Sequence, residues 1–334
     1  MIKIKAVALV SSGLDSLLSV KIVRDMGIDI TGLHCVFRFD PTEEVEAIRM
    51  ALDQLFNPFG VPVIIRDVTD DFFPLLIHPD HGYGSEVNPC IDCKIFMYKQ
   101  ARQLMEKMGA SFLVTGEVVG QRPMSQNKST LYHIESQAGM RDRVLRPLSA
   151  NNLRKCLPEK KGWIDREQLF GITGRGRKMQ MVLADNFSIH NYNQPAGGCI
   201  LTTPQFGERT RALFSHRKKS DISVSDIQLM RLGRHFWPNN HLHVIVGRNR
   251  EDNQNLEKYV QNRIMIEPAE IAGPLTLAEN IHDQTDLHIA AAITARYCRH
   301  QNQPVVMKYK NSGNIFSRLI IRAFPEDQIL QWQI

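Results

Sequence analysis

Apolar positions in the first half of the chain follow two alternating patterns. Uninterrupted apolar runs occur at 6–10 (AVALV), 30–37 (ITGLHCVF), 61–68 (VPVIIRDV) and 111–117 (SFLVTGE). Runs of this length read as strands buried on both faces. Between them, apolar residues recur at helical spacing. Leu17, Leu18, Ile22 and Met26 form one stripe, which Gly27 should stop. Segment 42–56 forms a second, with acids in its first turn where a helix dipole favours them, and 93–109 a third. Strands alternating with helices predict an α/β domain, a doubly wound parallel sheet, over residues 1–185.

Past residue 150 the pattern loosens. Gly, Asn, Arg and Pro dominate 150–220, which reads as connector plus helix, with 186–226 as the linking piece. From Ile227 onward, short strand-like runs at 241–248, 263–268 and 303–310 surround a helix pattern at 286–298. They predict a second, smaller α+β domain over 227–334.

Composition narrows the class. The 334 residues are 43% hydrophobic and 23% charged, the balance of an ordinary globular protein. No apolar run approaches the roughly 18 residues a membrane span needs, so no membrane partner is expected. The apolar start is interrupted by Ser11 and Ser12 too soon for a signal peptide, so a cytoplasmic enzyme is the expectation. Nothing fixes the oligomeric state; a homodimer is compatible with it. The formal charge of +6 is concentrated in GRGRK (174–178), HRKK (216–219) and GRNR (247–250). Three such clusters favour a phosphate-rich partner over three solvated loops.

The first strand leads directly into SSGLDS (11–16). In an open parallel sheet the first strand-to-helix turn commonly takes phosphates, and small residues let backbone N–H groups approach an anion there. Ser11, Ser12, Gly13, Asp15 and Ser16 are the candidate contacts. No Walker-type Gly-Lys follows, so transfer of a γ-phosphate is not indicated. Asp15 would repel a phosphate unless Mg²⁺ stood between them. The plainer reading is a serine-rich helix cap.

This loop resembles the Ser-Gly-Gly-x-Asp-Ser loop of the PP-loop ATP pyrophosphatases, with Ser12 where that family usually has glycine. TGEVVGQRPMSQ (115–126) is similar to a segment of tRNA 4-thiouridine synthases, and NPCIDCKIFMY (88–98) resembles a segment of tRNA 2-thiouridylases. The region around HLHVIVGRNREDNQNL resembles the RNA-binding domain of NFACT-type proteins. Met1 stands directly before the first strand, so the N-terminal RNA-binding extension of 4-thiouridine synthases is not expected, nor is a rhodanese domain. The resemblance implies an ATP-dependent tRNA sulfurtransferase that adenylates a uridine carbonyl oxygen, releases pyrophosphate and replaces the oxygen with sulfur. Its partners would be tRNA and a sulfur donor, either sulfide or a persulfide carrier. Which position, and whether the C2 or C4 oxygen, stays open. An adenylating enzyme for a small molecule and a non-catalytic RNA-binding protein with a nucleotide-sensing domain are the other readings. The resemblance places Gly116 near the nucleotide. Glu117 and Gln121, past the fourth strand, sit where ligand contacts belong. Phe37 is a candidate to stack on adenine, or a core aromatic, and Arg146-Pro147-Leu148 is expected to pack the domain.

Six cysteines in such a chain are not expected to pair as disulfides. Cys35, Cys156 and Cys298 read as ordinary buried or loop residues. Cys90 and Cys93, at a helix entry, should share one face with a depressed thiol pKa. Cys199 follows two glycines that let the backbone approach a partner. With it they make a three-thiolate set, which suits three irons of a [4Fe–4S] cluster and leaves the fourth open, whereas zinc would want a fourth ligand. Cluster-free relatives suggest instead a persulfide on Cys90 resolved by Cys199. A redox-inert Cys-x-x-Cys is the third possibility. Asp92, between the cysteines, is a candidate proton acceptor or a solvated turn acid.

Overall fold

The computed structural model describes residues 3–192, 199–299, 303–310 and 316–334. Two compact bodies emerge: Met1–Arg38 with Glu43–Gly198, and Phe39–Thr42 with Cys199–Ile334. No helix among the described residues is long and apolar enough to cross a membrane.

The first body is built on five parallel strands, β1 (Lys5–Leu9), β2 (Asp29–Val36), β3 (Val63–Asp67), β4 (Phe112–Thr115) and β5 (Val144–Leu145), in the order β3-β2-β1-β4-β5. Seven helices accompany them: α1 (Leu14–Asp25), α2 (Val45–Phe56), α3 (Thr69–Ile77), α4 (Cys90–Met108), α5 (Lys128–Gln137), the single turn α6 (Leu157–Lys160) and α7 (Lys178–Asn186). Strand β1 shows why its run is continuously apolar. Ala6 and Ala8 face one buried cluster with Leu14, Leu17 and Leu18, while Val7 faces the other with Tyr98, Leu104 and Leu113. Helix α1 stops as expected, with Gly27 in the left-handed region at φ 84°. Strand order reverses between β1 and β4, which makes the crevice beyond their carboxyl ends the place for a ligand.

Two expectations change. Residues 150–189 are not a loose connector: Ile164, Leu169, Ile172, Leu183 and Ile189 are buried in the α1 face of the first core. The chain divides at 198/199 rather than through a separate 186–226 link. Helix α8 (Pro204–His216) instead belongs to the second body, burying Phe206 and Leu213.

The second body holds a six-stranded antiparallel sheet of β6 (Arg234–Phe236), β7 (His243–Val246), β8 (Ile264–Pro268), β9 (Thr276–Glu279), β10 (Val305–Lys310) and β11 (Ser317–Ile321). Their order is β11-β10-β8-β9-β7-β6. Helices α9 (Val224–Leu229), α10 (Arg250–Glu257) and α11 (Gln284–Arg296) accompany it. Small side chains Ala290, Ala291 and Ala292 are buried with Val244, Ile266 and Met307, letting α11 lie close to the sheet.

Part of the basic character is spent inside this body. Arg217 bridges Asp226 at 3.0 Å and Glu279 at 2.6 Å, Arg263 holds the same two carboxylates, and Arg248 clamps Asp252. Lys218 and Arg250 remain exposed. Next to the network, His243 Nδ1 lies 2.9 Å from Glu279 and its Nε2 3.0 Å from His235. Burial, with the Arg209 charge adding to it, holds His235 well below 6.5, and burial also lowers His243 against the pull of Glu279. Both rings are therefore neutral when folded and protonate when unfolded. A histidine whose folded pKa is lowered contributes stability above its unfolded value and loses it as the pH falls. The melting temperature of the second body should drop steadily below pH 6.5, as read by calorimetry; a flat profile from pH 7 to 5 would contradict the neutral pair.

Candidate active site

The loop after β1 departs from the serine-cap reading. The helix N-cap is Gly13, with φ −79° and ψ 146°, and no side chain caps α1. The start of α1 therefore keeps the character of a helix N-terminus that can take an anion. The loop is closed on itself: Ser11 N–H donates to Ser16 Oγ at 3.1 Å, and Gly13 N–H to Ser11 Oγ at 3.4 Å. Ser12 is not among the residues with positive φ, so the side chain standing in place of a glycine costs no backbone strain.

Asp15 is buried in the first turn of α1. Its Oδ2 accepts from Gln121 Nε2 at 2.9 Å and from Arg177 at 3.3 Å, while its buried Oδ1 has no hydrogen-bond partner among the described residues. A buried carboxylate oxygen without a donor suits a hard cation, and Mg²⁺ fits it by charge and donor type. Arg177 comes from the GRGRK cluster, read above as part of a nucleic-acid surface. Its place beside Asp15 was not visible in sequence because 162 residues separate the two.

The segment that follows β4 organises everything around this loop. A Cβ on Gly116 would lie 2.7 Å from Asp15 C, Asp15 O and Ser16 N. Those are backbone atoms that cannot rotate away, so only glycine lets β4 approach the start of α1. Glu117 points inward instead. It is almost fully buried, accepts from Tyr98 and from Arg146 Nε at 3.0 Å, and lies 3.3 Å from Lys94 Nζ as an ion pair without an aligned hydrogen bond. Burial opposes its charge, but Lys94, Arg146 and Tyr98 outweigh burial and hold its pKa down at about 2. Arg146 also pairs with Glu135, so the Arg-Pro-Leu arginine is the centre of a buried polar network. Glu117 thus positions the segment rather than offering its carboxylate to the crevice. Beyond it, Gln121 reaches Asp15.

The same segment reaches the cysteines. Cys90 and Cys93 occupy the first turn of α4, both half-buried, with Cys93 N–H bonded to Pro89 O at 2.8 Å. A Cβ on Gly84 would lie 3.0 Å from Met124 Sδ and 3.6 Å from Cys90 Sγ, so residues 84, 90 and 124 meet at one point. The expected depression of the thiol is overturned at Cys90. Burial raises its pKa, and the charges of Arg122 and Lys94 only partly offset that. Asp92 is not a solvated turn acid: it is buried and accepts from His81 through the backbone N–H at 3.0 Å and the ring Nδ1 at 2.7 Å. His81 Nε2 lies 2.9 Å from His133 Nε2. Asp92 thus links the cysteine turn to an imidazole pair that no sequence motif marked.

Other candidates fall elsewhere. Phe37 packs edge-on to Phe72 with ring centroids 4.7 Å apart and stays half-buried at the end of β2. Burial raises the Cys35 and Cys298 thiols to about 11, and burial with Glu159 raises Cys156 well up, leaving all three protonated. Cys199 is exposed and begins the second body. Gly197 and Gly198, expected to free its backbone, lie outside the described residues.

Residues 2–155 match the family described as thiamine biosynthesis protein (ThiI), and residues 233–333 match the NFACT protein RNA binding domain. A probable tRNA sulfurtransferase of Methanobrevibacter smithii is 32% identical over 146 residues, covering 43% of this chain and 37% of its own length. The tRNA-specific 2-thiouridylase MnmA of Desulfosudis oleivorans is 26% identical over 112 residues, 32% of this chain and 30% of its own. The chain thus spans about a third of the length of these relatives. A solved 4-thiouridine synthetase–RNA complex with bound ATP is similar at 23% identity and TM-score 0.35, over 54% of this chain and 50% of that one.

Replacing Gly116 with alanine should lower stability by about 1–3 kcal/mol, because the methyl meets backbone on both sides. Chemical denaturation of the first body measures it, and a wild-type midpoint would show that the close approach is relaxed at no cost.

Proposed function

We propose, from the premise that residues 2–155 form a ThiI-type domain and residues 233–333 an NFACT-type RNA-binding domain, that the chain is an ATP-dependent tRNA sulfurtransferase. The observation that carries this reading is the reach of one segment. Residues 116–126 meet the phosphate-type loop through Gly116 and Gln121, and Met124 Sδ and Cys90 Sγ both border the space beside Gly84. Adenylation and sulfur chemistry share a wall.

The α1 cradle receives the departing pyrophosphate, and Asp15 Oδ1 would hold Mg²⁺, which would neutralise phosphate charge. The uridine carbonyl oxygen attacks the α-phosphate of ATP, and pyrophosphate leaves with the bonding electrons. Hydrosulfide at the Cys90 turn then adds to the activated carbon and gives up its proton, and AMP departs with the former carbonyl oxygen and its bonding electrons. Asp92 orients His81, which takes or returns the proton of that step. Cys90 and Cys93 would be thiolates for a [4Fe–4S] cluster, which when bound would supply an open iron for sulfide. Phosphate contacts from exposed residues such as Lys218 and Arg250 support tRNA as the partner.

Nucleoside mass spectrometry of tRNA from a strain lacking the gene should show one thiolated uridine lost, and its identity distinguishes the C2 from the C4 oxygen. In vitro, Asp15→Ala should cut tRNA-dependent pyrophosphate release at least a hundredfold, while tRNA binding stays intact. An unchanged thionucleoside profile together with unaltered pyrophosphate release would sink the proposal.

A further inference from the structure

Away from the cysteines, the second body gathers two imidazoles and a carboxylate that the proposed reaction does not use. His241 stands just before β7, His282 just before α11, and Asp286 in the first turn of that helix. One ligand atom from each lies within 4.8 Å of the other two. His241 Nε2 is 2.8 Å from Asp286 Oδ2, and the rings of His241 and His282 face each other 4.3 Å apart at an angle of 7°. Atoms this close leave a central point no more than about 2.8 Å from each, a small rotation away from the ~2.0–2.2 Å of zinc–ligand bonds.

The surroundings orient these ligands. Asn239 Oδ1 accepts the N–H of His241 at 3.0 Å and of Leu242 at 2.7 Å, and its amide donates to Asp286 Oδ1 at 3.3 Å. Asn280, in the left-handed region at φ 57°, donates to the carbonyl of His241 at 3.0 Å. Asp286 N–H is tied to the N-cap Asp283 at 2.9 Å. Supporting hydrogen bonds of this kind orient metal ligands. Asp286 is buried at the start of α11. A carboxylate that only stapled the turn would need the N–H of His282, 2.9 Å away, and the ring of His241. It would not need a second, exposed imidazole turned parallel to the first over the same point.

We propose that His241, His282 and Asp286 form a site for a divalent transition-metal ion, zinc by donor chemistry, with water completing the coordination. Two imidazole nitrogens and one carboxylate oxygen suit zinc or cobalt and disfavour magnesium or calcium. The ion replaces the His241–Asp286 hydrogen bond and fastens the 239–242 turn to the start of α11. This site is independent of the thiolates and of the sulfur chemistry assigned to them.

Cobalt(II) titration of the untagged full chain, stripped of metal under anaerobic conditions, tests the site. Beyond any cobalt that the thiolates hold, one equivalent should bind with visible d–d bands that carry no sulfur charge transfer, and zinc should displace it. His282→Ala, at an exposed position, should abolish that equivalent while the melting temperature of the metal-free chain stays unchanged. His282→Cys should restore it and add a sulfur-to-cobalt band. Zinc should raise the melting temperature of the second body in the wild type and not in His282→Ala. Equal stoichiometry in wild type and His282→Ala, or cobalt bound only with sulfur bands in the wild type, would overturn the assignment.

Discussion

Arg146 carries its charge in the interior of the first body, where Glu117 and Glu135 neutralise it and Tyr98 shares its hydrogen bonds. Taking such charges out of water costs several kcal/mol per ion, and the pairing only offsets that cost. The arrangement therefore does little for stability and much for position. Removing either partner would strand the other as an uncompensated buried charge, a loss of about 3–5 kcal/mol. Glu117 is the second residue past β4, so anchoring it fixes the path of residues 116–126. The site hangs from that segment.

On one side the segment meets α1 through the missing side chain of Gly116, and Gln121 reaches Asp15. On the other it meets the Cys90 turn, where Gly84 leaves room for Met124. The electrostatics of the two sides differ. Asp15 lies among donors with one oxygen unmet, a place prepared for a cation. Cys90 is shielded enough that burial outweighs its two cationic neighbours, so its thiol keeps the proton until something with greater affinity takes the sulfur. A metal centre or a sulfur donor is that kind of partner; solvent is not.

The second body uses buried charge differently. Glu279 sits among Arg217, Arg263 and His243, which hold it ionised although burial opposes its charge. This network takes Arg217 out of the HRKK cluster, and Asp252 takes Arg248 out of GRNR. A count of basic residues therefore overstates the surface available to a polyanion, and only the exposed remainder is open to one.

The strand and helix pattern was legible in sequence because it depends on local periodicity. Strand β1 had to be apolar throughout since Ala8 and Val7 face opposite cores, and Gly27 had to end α1 because the chain turns left-handed there. The loop at 11–16 and the Cys-x-x-Cys turn were legible for the same reason, each being a short motif whose chemistry lies within one turn. What the sequence could not show were partners far apart along the chain. Arg177 on Asp15, His81 on Asp92, Arg146 on Glu117 and the core role of residues 150–189 each depend on which elements the strand order brings together. The direction of the Cys90 shift belongs with these. A helix entry argues for a thiolate, but burial is a property of the packed fold, and at this position burial is the larger effect.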